Sequence, residues 1–440
     1  MRHFRLVKFF RRLGRPDPDC GWRRLCAQLL APGILMISTL SFPAIAADRH
    51  AHPSNLLDPG FWQQLWSHYL RTFVDSQGRV IDWQRHDVTT SEGQAYALFF
   101  ALVADQRRQF ARILSWTNNN LARGELGNRL PGWLWGRNTK GRWTLLSPHS
   151  AADADLWIAY TLLQAGRLWR IPRYTRQGEE LTRTIARSEV ISVDFSYRRS
   201  PRTMSISLTP MLLPGYYGFT LGRNRCVLNP SYLPMPLLFG LAHSDPDGPW
   251  RKMALQLPNL LRAISPHGFV PDWVGLDSHN GTFFQPPEGD RGSFNAIRVY
   301  LWAGFRVGNR RVNLKVITAI PGMANYLVHH RTPPLTVNVY SGKAEGKGPV
   351  GFSAAVLPYL RATRQIHAFR LQMLRLSRSL DPNTGLFGNP PHYYDQNLAL
   401  FALGYLSYMF HFTAAGNLIT RWAERGDPGL PRHETTVGPL

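Results

Sequence analysis

The sequence predicts an all-α fold in which about a dozen helices alternate with long loops and close into a ring of helical hairpins. Apolar residues recur at three-to-four spacing in most segments, as on the buried face of a helix. The segment 91–105 is apolar on nearly every side, which indicates a helix buried all round. Loops rich in glycine, proline and tryptophan separate the segments. The predicted helices cover residues 60–74, 91–105, 107–122, 153–169, 174–188, 233–243, 250–264, 293–306, 314–330, 352–380 and 395–424.

The first 46 residues form a separate unit. A basic stretch precedes an apolar stretch that ends in Ala44-Ile45-Ala46, a small-x-small cleavage pattern. These features together are typical of a secretory signal peptide. An uncleaved membrane anchor is the alternative, but Pro32, Gly33 and Pro43 interrupt the apolar stretch and disfavour a spanning helix.

The remaining chain is expected to fold as one helical domain over residues 47–425, followed by a polar tail over residues 426–440. Cys226 is the only cysteine outside the leader, so an internal disulfide is excluded. We therefore expect a periplasmic or secreted protein without a membrane span in its mature form.

The charge is strongly basic. The whole chain carries a net charge of +23, and residues 47–440, with 43 basic and 26 acidic residues, carry +17. An acidic polymer or an anionic envelope surface would suit this charge. The basic residues are scattered and no nucleic-acid-binding motif accompanies them, so no nucleic-acid partner is predicted.

Common cofactor and nucleophile motifs are missing from the sequence. It contains no H-E-x-x-H, C-x-x-C, G-x-S-x-G or phosphate-loop pattern. His329 and His330 form a pair without further ligand candidates nearby in the sequence. No cofactor and no metal site are predicted.

Several acids stand among apolar and aromatic residues. Glu92 opens the segment "SEGQAYALFF", Asp153 and Asp155 open "DADLWIAY", and Asp272 lies in "VPDWVG". Burial raises the pKa of a carboxyl, so that it can hold a proton at neutral pH as a general acid must. The alternative for Glu92, Asp153 and Asp155 is a favourable charge in the first turn of a helix.

Loop tryptophans are a second candidate for function. Trp133, Trp135, Trp143 and Trp273 lie in loops, and aromatic faces suit the C–H faces of sugar rings. Core filling is the ordinary role of tryptophan and must account for most of the others. The pair in "GWLWG", Trp133 and Trp135, is the best candidate for a sugar platform, with Trp273 as a further substrate contact.

Five ordered motifs give the sequence a specific resemblance. "TTSEGQAYALFFALVAD", "ADADLWIAYTLLQAGRLW", "LNPSYLP", "NAIRVYLWAG" and "GKAEGKGPVGFSAA" together resemble glycoside hydrolase family 8, most of all the periplasmic cellulases encoded beside bacterial cellulose synthase. The resemblance implies an (α/α)6 barrel whose long loops form a substrate cleft. It also implies inverting endo-hydrolysis of β-1,4-glucan (cellulose), and it raises the cellulose synthase complex as a candidate partner.

The resemblance assigns roles to four residues. Glu92 matches the family's general acid, and Asp153 matches an aspartate that contacts the sugar at the cleavage point. Tyr232 matches a tyrosine that helps to hold the attacking water, and Arg298 matches an arginine three residues after the general base. The signature around Asp153 reads "AADAD", with Ala152 where the family has serine or threonine.

The position of the general base departs from the family. Asn295 stands where the resemblance implies an aspartate, and Phe294 stands where an active-site tyrosine is usual. An amide can position water but cannot take its proton. Three alternatives follow: Glu288 or Asp290 supplies the base, the enzyme turns over slowly, or the protein only binds glucan. Locally, Ser293 is expected to cap the helix that Asn295 opens.

Overall fold

The computed structural model describes residues 52–194, 208–307 and 310–426. The predicted signal peptide and residues 427–440 of the predicted tail lie outside the described residues. Within the described part no helix is both long enough and apolar enough to cross a membrane.

Fourteen α-helices account for about half of the described chain. They are α1 (Pro59–Phe73), α2 (Ser91–Val103), α3 (Arg107–Leu121), α4 (Ala152–Trp169), α5 (Pro172–Glu189), α6 (Met235–Ser244), α7 (Trp250–Ile264), α8 (Ala296–Gly304), α9 (Arg310–Ala319), α10 (Gly322–His329), α11 (Val350–Ala362), α12 (Ile366–Ser379), α13 (Tyr393–Leu406) and α14 (Arg421–Gly426).

Six of these helices form a closed inner ring. Helix α2 packs on α4, α4 on α6, α6 on α8, α8 on α11, α11 on α13, and α13 returns to α2. The outer helices cover them: α1 packs on α13, α3 on α2, α5 on α4, α7 on α6, α9 on α8 and α12 on α11. Inner and outer helices alternate along the chain, and the predicted (α/α)6 barrel is confirmed.

Three predicted helices are shorter than expected. The segment 314–330 divides into α9 and α10 at Pro321, whose ring cannot continue a helix. The segment 352–380 divides into α11 and α12 around Arg364, whose φ of 60° lies in the left-handed region. The segment 395–424 ends as helix at Leu406, and a hairpin and α14 follow.

Short strands order the loops. They are β1 (Thr89–Thr90), β2 (Leu134–Arg137), β3 (Trp143–Ser147), β4 (Val190–Asp194), β5 (Leu208–Leu212), β6 (Arg225–Leu228), β7 (Val274–Asp277), β8 (Thr282–Phe284), β9 (Arg291–Gly292), β10 (Thr336–Asn338), β11 (Ala344–Glu345), β12 (Phe410–Phe412) and β13 (Leu418–Thr420). The sheets are β1-β2-β3, β11-β10-β9, β6-β7-β8, β4-β5 and β12-β13, all antiparallel.

The centre of the ring is aromatic. The ring of Phe401 lies 4.6–5.5 Å from the rings of Phe100, Trp157, Tyr96 and Phe99, and it meets Tyr96 and Phe100 edge to face. Helix α2 is buried along its whole length except at Glu92, as its apolar pattern predicts. This rigid core fixes the inner helices, and their N-terminal ends carry the polar residues described next.

Candidate active site

The start of α2 fixes Glu92 at the edge of the core. The Thr90 side chain accepts a hydrogen bond from the Gly93 amide at 3.1 Å and so caps the helix. The Ser91 amide donates to the Trp133 carbonyl at 3.0 Å. Glu92 therefore stands in a capped first turn, directly beside the loop that carries the predicted tryptophan platform.

Arg298 joins the N-terminal ends of three inner helices. Its Nη1 donates to Glu92 Oε2 at 2.5 Å, to Asp153 Oδ2 at 2.7 Å and to the Tyr96 hydroxyl at 2.9 Å. Its Nη2 donates to Asn295 Oδ1 at 2.8 Å. The guanidinium is 97% buried and carries a delocalised charge that can face several acceptors at once. The structure thus brings together Glu92, Asp153, Asn295 and Arg298, as the resemblance implies.

Burial raises the pKa of Glu92 to about 7. The neighbouring Arg298 lowers it, but the negative charge of Asp153 and a hydrogen bond with that carboxylate raise it again. Glu92 is therefore a carboxylic acid that holds a proton near neutral pH, which is the property of a general acid.

The expected Ser293 cap is wrong. Ser293 donates its hydroxyl to the Leu335 carbonyl at 2.7 Å instead. Asp272 Oδ1 takes the capping role and accepts from the amides of Ser293, Asn295 and Ala296 at 2.8, 2.9 and 2.7 Å. A carboxylate from a distant segment satisfies these donors better than the hydroxyl of Ser293, which is directed elsewhere.

Asp272 was expected only as one of several carboxyls whose burial raises the pKa, and neither the motifs nor the resemblance placed it beside Asn295. The acid lies in an apolar and aromatic context in "VPDWVG", which was the available signal. Burial raises the pKa of its carboxyl to about 6, although the three amides and Arg298 lower it. Its side chain is still partly exposed.

The Asn295 side chain does not cap its own helix. Its carbonyl oxygen faces Arg298, so its amide nitrogen is the group left for other contacts. The Asn295 side chain therefore accepts a hydrogen bond from Arg298, as a carboxylate at this position would, but it cannot accept a proton.

Tyr232 lies close to this cluster. It ends a 3₁₀ turn over Pro230–Tyr232, which the Asn229 side chain caps through the Ser231 amide at 3.0 Å. The Arg298 guanidinium carbon lies 5.5 Å from the centre of the Tyr232 ring. Burial and the charge of Asp153 raise the pKa of this phenol well above its ordinary value, so it stays a hydrogen-bond donor.

Phe294 and Tyr394 form an aromatic pair beside the cluster. Phe294 is 40% exposed and its ring lies 6.0 Å from that of Tyr394. The Tyr394 hydroxyl donates to the Phe294 carbonyl at 2.6 Å. The charges of Glu92 and Asp272 also help to raise the pKa of Tyr394. A phenol thus stands near the site although Phe294 lacks one, and the sequence analysis did not identify it.

Of the predicted platform pair, Trp133 and Trp135, it is Trp135 that stacks on a third loop tryptophan, Trp143. The rings of Trp135 and Trp143 are 4.8 Å apart and nearly parallel at 9°. The Arg79 guanidinium lies 4.6 Å from the Trp135 ring. Trp143 is 38% exposed, so it offers more surface to a ligand than Trp135 does. Trp133 contributes its carbonyl to the start of α2, as described above.

Trp273 contacts the ring of Tyr232. Its ring stacks on Phe219 at 6.0 Å and 12°, and it meets the edge of the Tyr232 ring at 6.4 Å. This contact places an aromatic surface directly beside the Arg298 cluster, which is compatible with the predicted substrate contact.

The two predicted substitute bases lie on the loop that leads into β9. Asp290 Oδ2 accepts a hydrogen bond from the Asn338 side chain at 2.5 Å, and Glu288 is half-buried. Neither is among the hydrogen-bond partners of Arg298. Their role as base stays a prediction.

A second carboxyl pair lies behind Asp153. Asp155 and Glu189 are both buried, and Ser150 donates to Glu189 Oε1. Within the described part of the chain, Glu189 Oε2 and both carboxyl oxygens of Asp155 have no hydrogen-bond partner. Burial raises the pKa of Glu189 to about 8 and that of Asp155 well above its ordinary value. The pair therefore holds a proton near neutral pH.

Among the described residues, no three or more His, Cys, Asp or Glu side chains are grouped so as to hold a metal ion.

Known proteins share this sequence and fold. An endoglucanase of Xanthomonas axonopodis pv. citri (strain 306) is 38% identical over 90% of this chain and 97% of its own. One of Salmonella typhi is 39% identical over 82% of this chain and 91% of its own. The crystal structure of an endo-1,4-D-glucanase from Vibrio fischeri ES114 superposes with a TM-score of 0.70 at 34% identity, covering 82% of this chain and 99% of the other.

The family model described as "Glycosyl hydrolases family 8" matches residues 58–407. This range contains all the inner-ring helices and every residue of the Arg298 cluster. The chain belongs to glycosyl hydrolase family 8.

Proposed function

We propose that this protein is an endo-β-1,4-glucanase, a cellulase that hydrolyses internal bonds of β-1,4-glucan with inversion at the anomeric carbon. The observation that carries the proposal is Glu92: a carboxyl with a pKa raised to about 7, held by Arg298, which also binds Asp153. The named activities of the relatives support the same substrate class.

In the proposed reaction Glu92 protonates the glycosidic oxygen as the bond breaks. A water attacks the anomeric carbon from the opposite face, with the two catalytic carboxyl groups about 6.5–9.5 Å apart to leave room for it. Asp153 contacts the sugar at the cleavage point and keeps the proton on Glu92. Tyr232 and Asn295 hold the water, and Arg298 holds the side chains of Glu92, Asp153 and Asn295 in place through its hydrogen bonds.

The glucan is proposed to lie along aromatic surfaces on either side of the cleavage point. Trp143, backed by Trp135 and next to Trp133, forms one platform. Trp273 and Phe294 form the surfaces near Tyr232 and Asn295. Sugar rings would stack on these side chains while the Arg298 cluster holds the reacting unit.

The protein is proposed to act in the periplasm or outside the cell, on glucan that a cellulose synthase complex secretes. The leader pattern of residues 1–46 and the basic charge of the chain support this location. Fractionation of cells that express the full chain, with detection of the protein in the periplasmic or medium fraction, tests it. Recovery only in the cytoplasmic fraction would contradict it.

Release of reducing ends from carboxymethyl-cellulose tests the activity. The wild type, Glu92→Gln and Asn295→Asp are compared, with Asp247→Asn on the exposed α6–α7 turn as the matched control. We expect the wild type and Asp247→Asn to be active and Glu92→Gln to be inactive. Asn295 favours a second function, glucan binding without cleavage. That function is supported if the wild type is inert while Asn295→Asp gains activity.

A further inference from the structure

We propose that Asp272 is the carboxylate that takes the proton from the attacking water, and that Asn295 positions this water through its amide nitrogen. The proposal rests on the proposed glucanase activity and names its missing general base. It replaces the expected Glu288 or Asp290 with a residue that touches the turn on which Asn295 lies.

The hydrogen bonds of Asp272 leave one oxygen available. Oδ1 accepts from the three amides at the start of α8, at 2.7–2.9 Å. Within the described part of the chain, all side-chain hydrogen bonds of Asp272 go to Oδ1 and none to Oδ2, and the side chain is partly exposed. A carboxylate oxygen has lone pairs to accept from water. Asp272 is therefore held rigidly by one oxygen while the other can receive a proton.

A chain of contacts connects Asp272 to the general acid. Glu92 accepts a hydrogen bond from Arg298 Nη1, and the Asn295 side chain accepts one from Nη2. The backbone amide of Asn295 in turn donates to Asp272 Oδ1. The acid and the proposed base thus lie at opposite ends of this chain, separated by Arg298 and Asn295. Inversion needs such a separation because a water must fit between the base and the sugar.

The environment of Asp272 suits a base. Arg298 on α8 and Tyr394 on α13 are the charged and titratable groups that interact with it. Burial raises the pKa of Asp272 to about 6 against the opposing effects of the three amides and Arg298. A carboxyl with this pKa is mostly ionised at pH 7 and accepts a proton more readily than an ordinary aspartate.

Asn295 has a defined part in this arrangement. Because its Oδ1 accepts from Arg298, its Nδ2 can donate to the water oxygen. The water then bonds to the anomeric carbon and the glycosidic C–O bond breaks. The Glu92 proton goes to the leaving oxygen, and the water proton goes to Asp272 Oδ2. Exchange with solvent returns both carboxyl groups to their starting states.

Asp290 is less suited to the same task. Its Oδ2 accepts from the Asn338 side chain on β10, and its backbone carbonyl accepts from the Val339 amide. These contacts tie it to the β9–β10 sheet. Asp272 Oδ1 instead accepts a hydrogen bond from the backbone amide of Asn295.

Asp272→Asn is the decisive variant, since an asparagine keeps Oδ1 for the three amides but cannot accept a proton. We expect kcat on cello-oligosaccharides to fall about 10²–10⁴-fold, with KM and the unfolding temperature little changed. Sodium azide, a nucleophile that needs no proton acceptor, is expected to restore turnover with glycosyl azide as product. Asp247→Asn on the exposed α6–α7 turn is the matched control and is expected to keep near-wild-type kcat. Glu288→Gln and Asp290→Asn test the two alternative bases.

The outcomes separate this proposal from the activity itself. If the wild type and Glu92→Gln are equally inert, the glucanase proposal fails. If the wild type is active and Asp272→Asn is as active, Asp272 is only a helix cap and this proposal is overturned. Two other results would also overturn it. One is a loss of kcat in Asp272→Asn that azide does not rescue, and the other is a loss of kcat in Asp290→Asn or Glu288→Gln instead of in Asp272→Asn.

Discussion

Arg298 Nη2 donates to Asn295 Oδ1 at 2.8 Å across one turn of α8. The contact fixes the orientation of the amide, since only the oxygen can accept from a guanidinium. Asn295 is therefore an integrated member of the site, with its nitrogen directed to another partner. The replacement of the family's aspartate changes the proton chemistry at this position and leaves the arginine contact in place.

Replacing Arg298 tests whether it organises the site. In Arg298→Lys a single ammonium must serve acceptors on four residues, so Glu92, Asp153 and Asn295 cannot all keep their partner. We expect kcat/KM to fall by about 10²-fold and the unfolding free energy to fall by about 1–3 kcal/mol because buried acceptors lose their donor. Arg306→Lys, an exposed change just beyond α8, is the control. Wild-type rates in Arg298→Lys would contradict an organising role.

The pH dependence of the rate follows from Glu92. A general acid must be protonated, so kcat should fall as pH rises through about 7, the raised pKa of this carboxyl. In Asp153→Asn the negative charge that raises this pKa is gone, while burial and Arg298 remain. The alkaline limb of the pH profile should therefore move to lower pH. A limb that stays in place, or moves to higher pH, would show that Asp153 does not hold the proton on Glu92.

The Asp155–Glu189 pair makes stability depend on pH. The native state keeps the Glu189 proton up to about pH 8, whereas the unfolded chain loses it near the ordinary value of 4.5. The free energy of unfolding should thus decrease as pH rises between these values, by at most about 1.4 kcal/mol per pH unit for one proton.

Glu189→Gln tests this dependence, because a side-chain amide has no proton to lose in this pH range. Thermal unfolding at pH 5, 6.5 and 8 should show a smaller decline than in the wild type. Glu179→Gln, a partly exposed change on the same helix α5, is the control. An unchanged slope in Glu189→Gln would place the proton elsewhere.

The exposed face of Trp143 predicts a binding effect. Trp143→Ala removes the outer ring of the stack on Trp135, and we expect KM for long cello-oligosaccharides to rise about 5–30-fold, the equivalent of about 1–2 kcal/mol of stacking. The kcat should change little, because the ring lies outside the Arg298 cluster. Tyr408→Ala, an exposed aromatic at the C-terminal end of α13, is the control. Equal KM values for Trp143→Ala and the wild type would rule out the platform.

Much of the fold was predictable from local pattern. The apolar run of α2 and the amphipathic periods of α3, α5 and α7 gave the right helices, because burial of a continuous face dictates both pattern and structure. The long predicted helices at 314–330, 352–380 and 395–424 were wrong in length. Their ends are set by Pro321, by the left-handed residue Arg364 and by the hairpin after Leu406, and long apolar periodicity concealed them.

The resemblance placed Glu92, Asp153, Tyr232 and Arg298 in one site, and the structure brings these side chains together, while their catalytic roles stay predictions. Asp272 and Tyr394 lie 23 and 99 residues from Asn295 in the chain, and no spacing rule connects them to it. Only closure of the barrel brings their side chains to the start of α8.

The sequence by itself determined the helical class, the family motifs and the substitution at Asn295, because these depend on residue identity and short-range periodicity. Tertiary structure decided how deeply each carboxyl is buried and which charges surround it. Proton affinity depends on burial and on neighbouring charges. Three inner helices, each distant in sequence, assemble those neighbours around Arg298.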